Sequence, residues 1–250
     1  MQIISQYFFS TETNSVRKNM KLSIIIPCYN EELSLNKLVN NCLSNINDNV
    51  EIILVDNGST DSTFKSLINL NLPYNIIPLR IEKNIGYGDG ILQGLKHAKG
   101  EIVSWTHADL QTDVSDVIIG FNQFEENLIN KKCMVKGIRK NRNIIDSFFT
   151  SSMGVYSSII IGTWMYDINA QPKMFHRSFM DEFEDTPLDF SLDLFLMNFF
   201  KSKNIKIKTF PVFFNKRKYG ESKGGGTFKG KIKLIKRTLS YIRTLKQNIN

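Results

Sequence analysis

Residues 22–31 read Leu-Ser-Ile-Ile-Ile-Pro-Cys-Tyr-Asn-Glu, and this stretch decides the fold. Residues 22–26 are mostly β-branched and apolar, and Pro27 ends the run, which predicts a short strand buried on both faces. A polar turn follows, and residues 31–46 then place apolar side chains at helical spacing. A buried strand that leads through a polar turn into an amphipathic helix is the opening unit of an α/β sheet.

The same pattern recurs along the chain and extends the sheet. Apolar runs at residues 51–55, 76–80 and 101–105 predict three more strands, separated by helices over 61–69 and 86–98. Later segments predict helices over 114–129 and 188–202 and strands over 132–138 and 205–214. An open, mainly parallel sheet flanked by helices is therefore the predicted fold.

The chain divides into one domain with two appendages. A single domain is expected over residues 21–223, after a flexible arm at 1–20 and before a basic amphipathic segment at 224–250.

Within the helix predicted over 86–98, Gly90 and Gly94 lie four residues apart on one face, and Ala98 extends this face. Small residues on one helix face predict close packing against the sheet.

Charge is distributed unevenly. Residues 201–250 hold 15 of the 32 basic residues and one acid, Glu221, so this end carries +14 and the first 200 residues carry −6. A basic end predicts an anionic partner: a phosphate-bearing substrate, an anionic lipid or a nucleic acid. The sequence contains no run of about 18 uninterrupted apolar residues, so it predicts no transmembrane helix. The apolar stretch at 148–165 and the cationic helix predicted over 228–247 instead favour peripheral docking on a membrane.

Polar clusters follow three of the predicted strands directly. They are Tyr29-Asn30-Glu31, Asp56-Asn57 and His107-Ala108-Asp109. The carboxyl ends of parallel strands meet at one edge, where α/β sheets bind their ligands. Asp109 and Gln111 offer oxygen ligands of the kind that Mg²⁺ and Mn²⁺ accept alongside substrate phosphates. The sequence therefore predicts a site for a phosphate-bearing ligand at this edge.

In order and spacing, these segments resemble family 2 glycosyltransferases of the GT-A (Rossmann-like) fold, close to the dolichol-phosphate mannosyltransferase and polyprenyl-phosphate glycosyltransferase branch. The matching segments are residues 24–31, 55–63, 84–88, 108–111 and 217–223. The resemblance implies transfer of a sugar from a nucleotide sugar to a polyprenyl phosphate by an inverting displacement that is assisted by Mg²⁺ or Mn²⁺. Together with the cationic and apolar segments described above, this function predicts a cytoplasmic enzyme that is peripheral on the inner face of a membrane.

The resemblance also implies roles for individual residues. The donor is held by Pro27, Tyr29, Asn30, Glu31, Asp56, Asn57 and Ala108. Asp109 and Gln111 hold the metal and the diphosphate, and Asp109 and Arg217 are the expected catalytic residues. Arg217, Ser222 and Lys223 belong to a basic loop that clamps phosphate, while Arg139 and Arg142 meet the acceptor phosphate.

Two departures from the family pattern affect these expectations. His107 stands where the family usually has the first Asp of an Asp-Ala-Asp motif, which removes one carboxylate and favours the softer ion Mn²⁺. In addition, Asn169, Gln171 and Lys173 occupy a segment that commonly reads Gly-Phe-Arg/Lys. These side chains are expected to shape the sugar or acceptor site, with a purely structural turn as the alternative.

The acceptor remains open at this stage. A phosphate acceptor is anionic near neutral pH and needs no strong base, whereas a saccharide or other hydroxyl acceptor needs one, for which Asp189 and Asp193 are candidates. A nucleotidyltransferase is disfavoured, because the residues after the first strand form no glycine-rich basic loop. A nucleic-acid-binding protein is also disfavoured, since a basic tail does not account for the three polar clusters.

Overall fold

A computed structural model describes residues 20–140 and 166–215, together with residues 158, 237, 240 and 241. Seven strands form one sheet in this part of the chain. They are β1 (Leu22–Cys28), β2 (Val50–Asn57), β3 (Ile76–Ile81), β4 (Ile102–Trp105), β5 (Cys133–Lys140), β6 (Lys173–His176) and β7 (Lys206–Phe213). The helices are α1 (Leu35–Leu43), α2 (Thr63–Asn69), α3 (Tyr87–His97), α4 (Val114–Ile129) and α5 (Leu192–Ser202), and a 3₁₀ helix spans Arg177–Glu182.

The sheet has the order β3-β2-β1-β4-β6-β5-β7, so β3 and β7 form its edges. Strands β3, β2, β1 and β4 are mutually parallel, and β6 runs antiparallel between β4 and β5. Strand β7 pairs in parallel with β5. The predicted open, mainly parallel α/β sheet is confirmed.

Two apolar layers cover the two faces of the sheet. One layer contains α1 and α4, and the other contains α3 and α5. Every residue of β2 is buried, as expected for a strand covered on both faces. The second layer includes a cluster of phenylalanines from α5, β6 and the 3₁₀ helix, whose rings meet mostly edge to face.

Helix α1 is shorter than the apolar spacing predicts. Asn30 adopts a left-handed conformation, with φ of 53°, and the Ser34 amide donates to the Glu31 carbonyl in a turn. The helix therefore begins at Leu35, and Leu33 is 78% exposed although its spacing assigned it to the apolar face. Turn geometry outweighs periodicity here.

The predicted close packing of α3 is confirmed at Gly94. A Cβ atom added to Gly94 would lie 2.5 Å from Ile25 Cγ2 and 2.9 Å from Val55 Cγ2. These two side chains lie on β1 and β2, so the helix backbone rests directly on the centre of the sheet. Gly90 meets the Asn57 side chain in the same way.

Within the described residues, no helix combines the length and hydropathy that a membrane span requires. Of the predicted arm at 1–20, residues 1–19 lie outside the described residues, while Met20 is buried and its carbonyl accepts from the Glu101 amide. The apolar stretch at 148–165, apart from Ser158, and most of the basic segment at 224–250 also lie outside the described residues. Their predicted structures stay predictions.

We expect Gly94→Ala to destabilise the fold by about 1–3 kcal/mol, because the new methyl group overpacks the contact with Ile25 and Val55. Helix propensity alone has the opposite sign, since alanine in a helix is favoured over glycine by about 1 kcal/mol. Urea unfolding measures the difference. Lys96→Ala, at an exposed position on the same helix, is the control and should change little. Stabilisation by Gly94→Ala would contradict the packing.

Candidate active site

A pocket of about 740 Å³ opens at the carboxyl ends of β1, β2 and β4. The residues that line it come from the ends of these strands and the loops after them, from the loop after β3 and the start of α3, from β5, from the loop before β6, from the start of α5 and the segment before it, and from the C-terminal region. They are Pro27, Cys28, Tyr29, Glu31, Asn57, Asn84, Ile85, Gly86, Tyr87, His107, Ala108, Asp109, Gln111, Arg139, Asn169, Asp189, Phe190, Asp193 and Arg237. The three polar clusters of the sequence therefore converge on one cavity.

Two predicted donor residues lie behind the pocket rather than on its surface. Asn30 joins the loops after β1 and β2: its amide donates to Ser59 Oγ (2.9 Å) and its Oδ1 accepts from the Thr60 amide (2.8 Å). Asp56 is fully buried and forms an ion pair with Arg80, its register partner on β3. Both side chains bind neighbouring loops or strands, although Asp56 Oδ1 has no hydrogen-bond partner among the described residues. Their predicted contact with the donor stays a prediction.

Asn57 reaches the pocket with an unused acceptor. Its Nδ2 donates to the Gly86 carbonyl (2.9 Å), which ties the end of β2 to the start of α3. Its Oδ1 is buried and accepts no hydrogen bond from any residue that the structure describes. A buried acceptor without a donor is unfavourable by about 1–3 kcal/mol.

His107, Asp109 and Gln111 occupy the centre of the pocket, after β4. Asp109 Oδ1 accepts from the Gln111 amide (3.0 Å), and Gln111 Nε2 donates to the Asn215 carbonyl (3.1 Å). Within the described residues, no group of three or more His, Cys, Asp or Glu side chains forms a cage for a metal. The protein thus offers one carboxylate with an imidazole and an amide beside it.

An aromatic stack covers the other side of His107. The Tyr87 ring stacks on Phe190 with centroids 4.7 Å apart, and its centroid lies 6.0 Å from that of His107. Removal from water lowers the pKa of His107, although the carboxylates of Asp109 and Asp193 oppose this effect. The imidazole is therefore neutral at neutral pH, which is the form that binds metal ions.

The floor of the pocket contains a fully buried ion pair. Lys173 Nζ lies 2.6 Å from Asp193 Oδ1 and 3.1 Å from the Ala170 carbonyl. Gln171 Nε2 donates to both oxygens of Asp193, at 3.1 and 3.2 Å. Gln171 and Lys173 are buried and contact the cavity lining through Asp193, and their predicted role in shaping the substrate site stays a prediction. Asn169 does line the pocket.

A second buried network holds Arg139. Asp167 accepts from the Arg139 backbone amide (3.0 Å) and pairs with its guanidinium through Nε and Nη2. The carbonyl of Asp167 accepts from Lys136 Nζ at 2.7 Å, and the Tyr166 carbonyl accepts from the same amine at 2.6 Å. Arg139 therefore enters the pocket as a residue already fixed in position.

Burial lowers the pKa of Lys136 to about 7, and the neighbouring Lys173 contributes to this shift. Lys136 and Lys173 are register partners on β5 and β6. Removal from water lowers the pKa of Lys173 as well, against the opposing effect of Asp193. Two amines share one buried region, and Asp193 pairs with Lys173 while backbone carbonyls accept from Lys136.

Four predicted site residues, Arg142, Arg217, Ser222 and Lys223, lie outside the described residues. Their roles stay predictions. Conversely, several pocket residues were not assigned from the sequence: Asn84, Tyr87, Phe190 and Arg237. The segment Asn84-Ile85-Gly86-Tyr87-Gly88 matches the family pattern and so indicates the first two. Its two glycines allow a close approach, because added Cβ atoms at Gly86 and Gly88 would collide with the backbone of residues 187–189. Phe190 and Arg237 carried no comparable signal.

Residues 23–146 match the model of the glycosyl transferase family 2. This chain carries a glycosyltransferase family 2 domain. It is therefore an enzyme of the transferase class, and the matched residues supply β1 to β5 and the centre of the pocket. The dolichol-phosphate mannosyltransferase branch is a finer assignment that this match leaves as a prediction.

Solved structures share the fold of this glycosyltransferase. Glucosyl-3-phosphoglycerate synthase from Mycobacterium tuberculosis, in complex with uridine diphosphate, gives a TM-score of 0.69 at 14% identity, over 94% of this chain and 83% of the synthase. Its complex with Mn²⁺, UDP-glucose and phosphoglyceric acid gives 0.68 at 15% identity, over 93% and 83%. Its complex with Mg²⁺ and uridine diphosphate gives 0.68 at 14% identity, over 92% and 80%. The predicted GT-A fold is confirmed.

The buried Lys136 predicts a pH-dependent stability. Above pH 7 the native amine is neutral, while the unfolded chain keeps its proton up to about pH 10.5, so unfolding takes up a proton in this window. Stability therefore rises with pH. We expect the free energy of unfolding of the wild type, minus that of Lys136→Met, to increase by about 1 kcal/mol per pH unit from pH 7 to pH 10.

Urea unfolding at one-unit steps of pH measures this difference. Lys132→Met, at an exposed position before β5, is the matched control and should give a difference that stays flat. A flat difference for Lys136→Met as well would show that the buried amine keeps its proton in the native state.

Proposed function

We propose that this glycosyltransferase moves a sugar from a nucleotide sugar to a polyprenyl phosphate. The observation that carries the choice of acceptor is the state of Asp193. This acid lies in the first turn of α5 and lines the pocket, where it forms a buried ion pair with Lys173 and accepts from Gln171. A carboxylate whose oxygens already accept from Lys173 and Gln171 is poorly placed to take a proton from an acceptor hydroxyl. An acceptor that is already anionic requires no such base.

The other acids of the described pocket lining also have partners. Glu31 accepts from Ser34 Oγ at 2.7 Å, and Asp109 accepts from the Gln111 amide. Asp189 Oδ1 accepts from the Ser191 amide at 2.8 Å, and its Oδ2 faces Arg237. Catalysis would then depend on positioning the two substrates and on stabilising the departing nucleoside diphosphate.

The donor is proposed to occupy the side of the pocket formed by the ends of β1 and β2. Pro27, Tyr29, Glu31 and Asn57 line this side, where polar side chains can meet a nucleobase or a ribose. The neighbouring Asp56 keeps the loop in place through Arg80. Uridine diphosphate, which the structurally similar synthase binds, is the first nucleotide to test.

The donor set in the centre fits a divalent cation that takes most of its ligands from substrate. Asp109 would supply the carboxylate, with Gln111 and His107 beside it. Mg²⁺ and Mn²⁺ commonly bind through one or two carboxylates and the phosphates of the substrate. Such a cation neutralises charge that develops on the leaving diphosphate. The synthase complexes with Mg²⁺ or Mn²⁺ support this choice.

Transfer to a hydroxyl of a small phosphorylated acceptor is the second candidate function. It is favoured by the complex of the synthase with UDP-glucose and phosphoglyceric acid. In that case Asp193 or Asp189 would have to act as the base, and Lys173 would have to give up part of its hold on Asp193. Docking at the inner face of a membrane remains a prediction from the basic C-terminal sequence.

A transfer assay on the purified protein tests the proposal. Radiolabelled nucleotide sugars are offered with Mn²⁺ or Mg²⁺ and farnesyl phosphate, and the product is partitioned into organic solvent. We expect label in the organic phase that disappears with a chelator, with an anomeric configuration opposite to that of the donor.

The same assay with phosphoglyceric acid, and with farnesol in place of farnesyl phosphate, separates the two acceptor classes. Transfer to phosphoglyceric acid without transfer to farnesyl phosphate would favour the second candidate function. No transfer to any acceptor by protein that binds the nucleotide would contradict both acceptors.

We expect Asp109→Asn to lower turnover by about 100-fold or more, because the centre loses its carboxylate and the leaving diphosphate loses stabilisation. Steady-state rates at saturating metal measure the loss. Asp181→Asn, which removes an exposed acid from the 3₁₀ helix, is the matched control and should keep full turnover. Full turnover by Asp109→Asn would overturn its role at the metal.

A further inference from the structure

An arginine from far along the chain faces the pocket beside α5. Arg237 lines the cavity, its side chain is 49% exposed, and its Nε lies 4.0 Å from Asp189 Oδ2. Charge-assisted hydrogen bonds between a guanidinium and a carboxylate are commonly about 2.7–2.9 Å long. Asp189 therefore holds Arg237 in place only weakly.

Tyr241 anchors the backbone that carries Arg237. Both residues are helical and lie four positions apart, a spacing that places them on one face of a helix. Tyr241 is half-buried and packs against the apolar layer that contains α5. Burial, with the carboxylates of Asp185 and Asp189, raises the pKa of Tyr241, so its phenol stays neutral. The anchor fixes the start of the arginine side chain and leaves its end exposed.

Among the described residues that line the pocket, the two arginines differ in how firmly they are held. Arg139 is 10% exposed and pairs with Asp167 through two of its nitrogens. Arg237 is more exposed and its ion pair is longer. An incoming phosphate can recruit the loosely held guanidinium at a smaller energetic cost, since no short ion pair has to be broken.

We propose that Arg237 binds a phosphate group of the substrate in this pocket, exchanging the Asp189 carboxylate for phosphate oxygens. A guanidinium presents two parallel N–H groups that match phosphate geometry, which a lysine ammonium cannot reproduce. The proposal rests on the proposed function only for the identity of the molecule that carries the phosphate. The shared chemistry is a phosphate, whether it belongs to the nucleoside diphosphate or to the acceptor.

Calorimetric titration with Mg²⁺-pyrophosphate tests the inference without knowledge of the sugar or the acceptor. We expect Arg237→Ala to weaken binding by about tenfold or more and Arg237→Lys to restore it only in part. Asp189→Asn should tighten binding when Arg237 is present, because the Asp189 carboxylate then no longer competes with phosphate for the guanidinium. In the Arg237→Ala background, Asp189→Asn should not tighten binding. Lys96→Ala, which removes an exposed charge near the far end of α3, should bind as the wild type does.

Equal binding by the wild type and Arg237→Ala, or no binding by either, overturns the proposal. Thermal unfolding of each variant checks that the fold is kept. If Arg237→Ala does not fold, pyrophosphate binding by Arg237→Lys is compared with that of the wild type instead. Titrations with uridine diphosphate and with farnesyl phosphate identify which substrate carries the phosphate. If Arg237→Ala weakens binding of uridine diphosphate, Arg237 contacts the donor; if it weakens binding of farnesyl phosphate, Arg237 contacts the acceptor. A pyrophosphate effect that persists when the transfer assay fails refutes the proposed function alone.

Discussion

The parallel register of β1, β2 and β4 is the constraint on which the pocket depends. Cys28 lies opposite Asp56, and Ile25 lies opposite Trp105, so three loops leave the sheet at one edge. Apolar layers on both faces keep these strands in place. Because much of the pocket lining lies at the strand ends and in the loops that follow them, the loops can differ in chemistry while the frame stays the same. The family match and the solved structures at 14–15% identity agree with this division.

Beneath that edge, charge is balanced before any substrate arrives. Lys173 neutralises Asp193, and Asp167 neutralises Arg139. Breaking a buried pair by removing one partner costs about 3–5 kcal/mol, so these pairs restrict which groups remain available for chemistry. The pocket consequently has firmly held charges on its floor and a loosely held one, Arg237, in its described wall. This contrast supports a reaction that depends on placing phosphates rather than on moving a proton to a strong base.

The sequence predicts the sheet well because its strands are continuous apolar runs, and it predicts the pocket because polar residues follow those runs directly. It does not predict the tertiary pairings that fix individual side chains. Asp56 pairs with Arg80 on the neighbouring strand β3, and Lys173 pairs with Asp193 on α5; no local sequence pattern predicts either pairing. The start of α1 is also displaced, since the left-handed Asn30 cannot be inferred from apolar spacing. Phe190 and Arg237 reach the pocket only through long-range packing.

The order of the sheet has a further consequence for behaviour at high concentration. Strands β3 and β7 form the edges of the described sheet, and an exposed edge is a template for pairing with another copy of the chain. Each of these two strands contains a proline, Pro78 in β3 and Pro211 in β7. Proline lacks the backbone N–H that would extend the ladder, and lysines at 206 and 208 add repulsion along β7. At each edge, a proline therefore breaks the row of backbone N–H groups that another strand would need for fibrillar aggregation.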